Sequence, residues 1–157
     1  MIKIKIITAD KVKEKFVLEG ESKYLRMLAG SARVELIELR LKKNSAKSNS
    51  GQQIEEEALS IRKRIGERDL LIVLSEEGTS LSSKKFASFL ENKVTTGSST
   101  LTFVIGSAYG IDSILKEEAD LLLSLSKFTF PYQLSRLVLI EQLYRVFSIM
   151  RGEPYHK

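Results

Sequence analysis

The sequence predicts an α/β domain: a mostly parallel sheet with helices on both faces. Three observations carry this. Short apolar runs at 2–8, 34–39, 70–74, 101–105 and 121–125 alternate with longer helical stretches at about 11–28, 52–65, 82–93, 112–119 and 133–150, the order that βα units produce. Runs such as Leu70-Leu71-Ile72-Val73-Leu74 are apolar at consecutive positions, as strands covered on both faces require. A chain of 157 residues also suits one domain with one core, so 1–157 reads as a single unit with no linker and no internal repeat.

Each element has its own signal. Residues 1–8 alternate Lys with Ile and lack the apolar core and cleavage site of a signal peptide, so the chain is expected to open on a strand. The stretch 42–51, Lys-Lys-Asn-Ser-Ala-Lys-Ser-Asn-Ser-Gly, reads as a polar, basic loop before the second helix. That helix ends in Arg62, Lys63 and Arg64, with Arg68 beyond, and the third begins with Lys84-Lys85; both clusters are most simply solvated faces. The last strand gives way at Pro131, and the chain restarts as a long helix from about Gln133.

That final helix is apolar on both sides. Leu137, Leu139, Ile140, Leu143, Tyr144, Val146, Phe147 and Met150 fill half its circumference, and Leu134, Val138 and Ile149 put apolar surface on the other half. A helix of this kind is covered twice, by its own domain and by a second copy, so a homodimer is expected. Arg136 falls within the broad apolar face. Its guanidinium keeps its charge and needs a partner, either a structural carboxylate or an anionic substrate.

Composition narrows the function. No apolar run reaches the length of a membrane span. There is no cysteine and one histidine, which excludes disulfides, Cys-ligated zinc and thiol nucleophiles and argues against a protein-borne metal site. A net charge of +5 is compatible with an RNA partner without requiring one. Beyond the strands, three segments stand where an α/β sheet binds ligands: 74–78, the turn Gly106-Ser107-Ala108-Tyr109-Gly110, and 125–130. Meeting on one edge, they would form a crevice of backbone groups and apolar side chains.

The residues also carry a resemblance. Phe130-Pro131-x-Gln133, the run Arg136-Leu137-Val138-Leu139-Ile140-Glu141-Gln142-Leu143-Tyr144-Arg145 and the closing Tyr155-His156-Lys157 resemble the C-terminal signature of the bacterial large-subunit rRNA pseudouridine N3-methyltransferases, small members of the SPOUT superfamily. The opening strand, Leu81-Ser82-Ser83 and Phe103-Val104-Ile105-Gly106 fit the same family, so the likeness spans the chain. It implies a trefoil knot in the C-terminal half, which general topology rules would not suggest. It also implies a cytoplasmic homodimer that transfers a methyl group from S-adenosyl-L-methionine to N3 of a pseudouridine in 23S rRNA, on the assembled ribosome and with no metal.

Carried over residue by residue, the donor would be held at Leu74, Gly106, Leu125, Ser126, Lys127, Phe128, Thr129 and Phe130. The target nucleotide would be handled by Arg136, Tyr155 and His156. Two positions depart from the family pattern: Ser107 replaces a second glycine, adding a hydroxymethyl group to a crowded turn, and Tyr132 stands where a histidine is usual. These departures motivate an alternative, a dimeric RNA-binding protein with weakened catalysis; another is a SPOUT activity on a different RNA.

Overall fold

The computed structural model describes residues 1–40 and 50–155. Five strands, β1 (Ile2–Thr8), β2 (Ala32–Glu38), β3 (Asp69–Ser80), β4 (Thr100–Ile105) and β5 (Leu121–Ser124), form one sheet in the order β2-β1-β4-β3-β5. Every strand pair is parallel. The helices are α1 (Lys15–Leu28), α2 (Ser50–Arg62), α3 (Ser83–Thr95), α4 (Ser113–Glu118) and α5 (Tyr132–Met150). The α/β class read from the alternation is the observed one.

The consecutive apolar runs work as expected, because neighbouring residues feed opposite faces of the sheet. Ile4, Ile6, Leu70, Ile72, Leu101 and Phe103 point into a core shared with Leu28 of α1, Phe86 and Leu90 of α3, and Leu139, Ile140 and Leu143 of α5. Ile7, Leu71, Val73 and Val104 point the other way, onto Ile61 of α2 and Leu115 of α4. Three helices therefore cover one face and two the other. At the amino ends of the strands, Asp69 ties three of them together. Its carboxylate accepts from Lys5 Nζ at 2.9 Å, Thr102 Oγ1 at 2.7 Å and the Gly66 N–H at 3.0 Å. Burial alone would raise the Asp69 pKa, but these donors outweigh it and hold the carboxyl below its usual range.

Several element boundaries differ from the sequence reading, those of α1 and β3 for a tertiary reason. Helix α1 begins at Lys15 rather than 11, because the preceding N–H groups bond elsewhere: Val12 to Glu38 Oε2 at 2.8 Å, and Lys13 and Glu14 to Gln133 Oε1 at 2.9 and 2.8 Å. A side chain of α5 thus supplies the cap that Glu14 does not. Strand β3 does not end at Leu74. The register with β5 shifts between Leu74 and Thr79, after which Thr79 and Ser80 pair with Leu123 and Ser124. Residues 75–78 bulge outward between the two paired parts. Gly78 is required in this bulge, since a Cβ there would stand 2.5 Å from the Leu122 carbonyl oxygen. Helix α2 starts earlier, at Ser50, so of the basic stretch 42–51 only Ser50 and Gly51 belong to described structure, and the remainder lies outside the described residues.

The two-sided apolar character of α5 resolves into two environments. Leu139, Ile140, Leu143, Val146 and Phe147 are buried in the chain's own core. Leu134, Leu137 and Val138 are only half-buried. Arg136 is on the covered side, 1% exposed, and its Nε and Nη2 donate to the Glu21 carboxylate of α1 at 2.5 and 2.9 Å. Glu38 of β2 stands 3.5 Å from Nη1, which makes no hydrogen bond of its own. The pair therefore locks α5 to α1 and to the end of β2. Removing one partner leaves a buried, uncompensated charge.

Arg136→Ala should cost about 3–5 kcal/mol, lowering the melting temperature by roughly 6–20 °C for a chain of this size. The joint replacement Arg136→Met with Glu21→Leu should recover most of that loss, because it removes both charges. Thermal unfolding followed by circular dichroism reads both. An Arg136→Ala protein as stable as the parent would show that the pair does not hold the fold.

Candidate active site

The bulged part of β3 and the carboxyl ends of β4 and β5 meet the start of α5 around one cleft of about 900 Å³, within the range of about 300–1,000 Å³ usual for small-molecule sites. Leu74, Gly106, Leu125, Ser126, Phe128, Thr129 and Phe130 all line it. Three segments far apart in sequence are thus brought together as the strand-end argument expects. Lys127 is exposed and is not among the lining residues. Additional lining comes from Glu76 and Glu77 of the β3 bulge, Lys116 of α4, and Tyr132 and Ser135 of α5.

The floor of the cleft is a tight turn. Residues 107–110 close through a 3.0 Å bond from the Gly110 N–H to the Ser107 carbonyl, with Gly110 at φ +95°. Gly106 cannot carry a side chain here: a Cβ would overlap Ile111 and approach the Gly110 carbonyl oxygen to 2.8 Å. Ser107 behaves differently. No described residue other than glycine has positive φ, so its backbone conformation is ordinary. Its hydroxyl donates to Glu57 Oε2 of α2 at 3.0 Å and accepts the Tyr109 N–H at 3.3 Å. The extra hydroxymethyl group is anchored to α2.

The opposite wall is shaped by serines and by the β3 bulge. Ser124 Oγ donates to the Ser126 carbonyl at 2.9 Å, and Ser126 Oγ accepts the Phe128 N–H at 3.0 Å. This pair of local bonds turns the chain and leaves the Phe128 ring 80% exposed at the mouth. Thr129 Oγ1 donates to Glu76 at 2.9 Å, and Lys116 Nζ stands 3.3 Å from Glu77. The mouth is therefore bordered by two carboxylates, one held by a hydroxyl and one by an ammonium.

Tyr132 donates its hydroxyl to the Lys11 carbonyl at 2.7 Å. Burial, then the Asp10 and Glu38 carboxylates, push its phenol pKa up, so at neutral pH it serves as a donor. Tyr132 thus ties the β1–α1 connection to the edge of the cleft. Arg136, one turn further along α5, turns away from the cleft into the Glu21 pair.

Tyr155 lies elsewhere. Its ring meets Tyr144 edge-on at 4.7 Å between centroids, the Arg145 guanidinium lies 4.8 Å from its centre, and its hydroxyl donates to Glu141 at 3.3 Å. Its phenol is pushed up to about 12, first by burial and then by Tyr24 and Glu141. Tyr144 is twelve residues beyond Tyr132 on α5, about 18 Å along the helix axis. Within one chain, the anchored tail therefore stands well away from the cleft. His156 lies outside the described residues.

The sequence reading missed Glu57 and Lys116, and it placed the segment 74–78 at the site without reading the charge of Glu76 and Glu77. Only Glu57 left a sequence signal: it interrupts the inward stripe of α2, beside Ala58 and one turn before Ile61, both buried. The contributions of Glu76 and Glu77 depend on a register shift with no local signature. Among the described residues, no group of three or more His, Cys, Asp or Glu could hold a metal ion, and no helix is long and apolar enough to cross a membrane.

Residues 2–156 match the family model described as predicted SPOUT methyltransferase. Curated relatives called ribosomal RNA large subunit methyltransferase H are similar over their full length. One from Streptococcus pyogenes is 42% identical over 159 aligned residues, one from Streptococcus sanguinis 43% and one from Streptococcus suis 41%, each alignment covering 99% of this chain and 100% of the relative. Matched from end to end by the family model and by relatives of the same length, the chain belongs to the SPOUT methyltransferase family.

Proposed function

We propose that this chain, a single domain throughout, is an S-adenosyl-L-methionine-dependent methyltransferase of 23S rRNA. It acts in the cytoplasm as a homodimer, at N3 of a pseudouridine on the assembled ribosome. The observation that carries the reading is the full-length similarity to large-subunit rRNA methyltransferases, joined to a cleft at the strand ends in which the expected donor-binding segments converge.

The residues present suit the donor. The Gly106 turn, where a Cβ would clash, lets backbone form the floor. Leu74, Leu125, Phe128 and Phe130 offer apolar surface to a flat adenine, and the exposed edges of strand-end backbone can read its polar rim. Ser126, Thr129 and, at the rim, Lys127 complete the set. When bound, S-adenosyl-L-methionine supplies an electrophilic methyl group on a positively charged sulfur. Glu76 and Glu77 place negative charge at the mouth through which that cation passes.

The protein's part in the reaction is then positioning and proton removal. The imide N3–H of a pseudouridine must lose its proton as the nitrogen attacks, so in-line placement and a nearby base both help. Tyr132 and Tyr155 are both held protonated, which leaves His156 as the titratable candidate. Tyr155 anchors the tail that bears it. Because Tyr155 stands about 18 Å along α5 from the cleft of its own chain, the reading pairs it with the cleft of the second copy. Arg136 supports the nucleotide site from behind, by fixing the first turns of α5 to α1.

A second copy also accounts for the remaining apolar surface. Phe16 is 60% exposed and lies one turn before Gly20 on α1, on the same face. Gly20 in turn is pressed against Leu137 of α5. With half-buried Leu134 and Val138, this makes an apolar strip running across both helices. By contrast, Leu143 and Phe147 belong to the chain's own core, so substitutions there unfold the protein and say nothing of assembly. Light scattering at micromolar concentration should give a dimer, and Phe16→Asp should give a folded monomer. A monomeric wild-type protein would refute this assembly.

Function is tested with ribosomes from cells lacking this methylation, incubated with the protein and S-adenosyl-L-methionine and analysed by nucleoside mass spectrometry. Wild-type protein should yield N3-methylated pseudouridine. Removing residues 155–157 should cut the yield at least ~100-fold, while donor affinity by calorimetry moves by less than about threefold, since the reading assigns the tail to the target nucleotide and not to the donor. No methylated pseudouridine with wild-type protein would overturn the reading; full activity without the tail would remove the tail from the mechanism.

A further inference from the structure

Two carboxylates are buried among the described residues, Glu21 and Glu57. Glu21 is neutralised by Arg136. Glu57, 4% exposed, is paired with no cation among the described residues. Its neighbours are the Ser107 hydroxyl at 3.0 Å, the Gln53 side-chain amide at 3.3 Å and, acting through charge, Asp10. Burial, the largest influence, pushes the Glu57 carboxyl up, and Asp10 adds to it. A carboxyl whose folded pKa lies above its unfolded value opposes folding once the pH exceeds that unfolded value. At neutral pH the acid is thus a burden on stability, and an amide of the same shape would serve the fold as well.

What the carboxylate does hold is the floor of the cleft. Ser107 begins the turn 107–110, and its hydroxyl bridges the Tyr109 N–H to Glu57. Five residues further along α2, Arg62 reaches Asp112 at 3.4 Å and Glu118 at 3.4 Å, and Asp112 caps α4 by accepting the Leu115 N–H at 3.1 Å. The segment from Ser107 to Asp112 is therefore fastened to α2 at both ends. The Arg62 contacts are partly exposed and individually weak. The Glu57 contact is buried, hence the stronger of the two.

We propose that Glu57 is a positioning residue for methyl-donor binding: through the Ser107 hydroxyl it holds the Gly106–Gly110 turn in the shape that borders the cleft. Ser107 and the carboxylate that interrupts the α2 stripe are two halves of one device that fixes the turn. The proposal rests on the reading of this cleft as the donor site, and it makes α2 the element through which events on the opposite sheet face can alter donor affinity.

Calorimetry with S-adenosyl-L-methionine on the full chain tests it. Glu57→Ala and Ser107→Ala should each weaken binding about tenfold, the scale of one buried hydrogen bond. The double variant should be no weaker than about twice the worse single one, because both remove the same contact. Glu57→Gln, which keeps an acceptor, should stay within about threefold of wild type and melt no lower. Singles within about 1.5-fold of wild type, additive losses in the double variant, or Glu57→Gln as weak as Glu57→Ala would each overturn the proposal. If Glu57→Ala does not fold, Ser107→Ala and Glu57→Gln decide alone: loss in the first with retention in the second is the expected pair. Wild-type protein that fails to bind the donor overturns the cleft reading itself, and the proposal with it, which distinguishes the two failures.

Discussion

The buried pair between Arg136 and Glu21 is the constraint on which the architecture around the cleft depends. Helix α5 would otherwise be an apolar rod free to slide on an apolar sheet face, since non-directional burial fixes no register. A guanidinium that is 1% exposed fixes it, because its desolvation cost is met only when both Glu21 oxygens are in place. From that fixed point the remaining geometry follows. Gln133 reaches the N–H groups of Lys13 and Glu14 and caps α1, Tyr132 reaches the Lys11 carbonyl, and the entry to α5 becomes a wall of the cleft.

The two ends of the sheet are built on different principles. At the amino ends, Asp69 gathers Lys5, Thr102 and the Gly66 N–H into a polar knot that binds three strands. At the carboxyl ends, close approach of backbone does the work, at Gly78 against the Leu122 carbonyl oxygen and at Gly106 against Gly110. The first arrangement is rigid and offers no room. The second leaves a cleft with a main-chain floor at Gly106 between apolar side chains, which suits a ligand recognised by shape and by backbone hydrogen bonds. Family membership further implies the trefoil knot, which would close this end of the sheet around the chain leading into α5.

Much of this was legible in the sequence, for identifiable reasons. Consecutive apolar residues in 70–74 and 101–105 could only suit strands covered on both faces, and the order of elements gave the parallel sheet. The cleft segments were legible because α/β sheets bind ligands beyond strand ends. The partner of Arg136 was not, because Glu21 lies 115 positions away and nothing local marks it. The extension of β3 past Glu76-Glu77-Gly78 was hidden as well: those residues look like a terminating loop, and only the shifted pairing with β5 keeps them in the strand. Ser107 looked like an obstruction when judged by size alone. Its hydroxyl turned out to have a buried acceptor on a helix from the opposite face, a contact that no spacing rule predicts.

The central claim, that the strand-end cleft is where the methyl donor sits, is tested most directly by a crystal structure of the protein with S-adenosylhomocysteine, the product that keeps the donor's adenosine and amino-acid parts. The account predicts the adenine between Leu74, the Gly106 turn and residues 125–130, with its edge on main-chain groups and Glu57 still bonded to Ser107. A ligand bound on any other surface of the protein, with this cleft left to solvent, would contradict it.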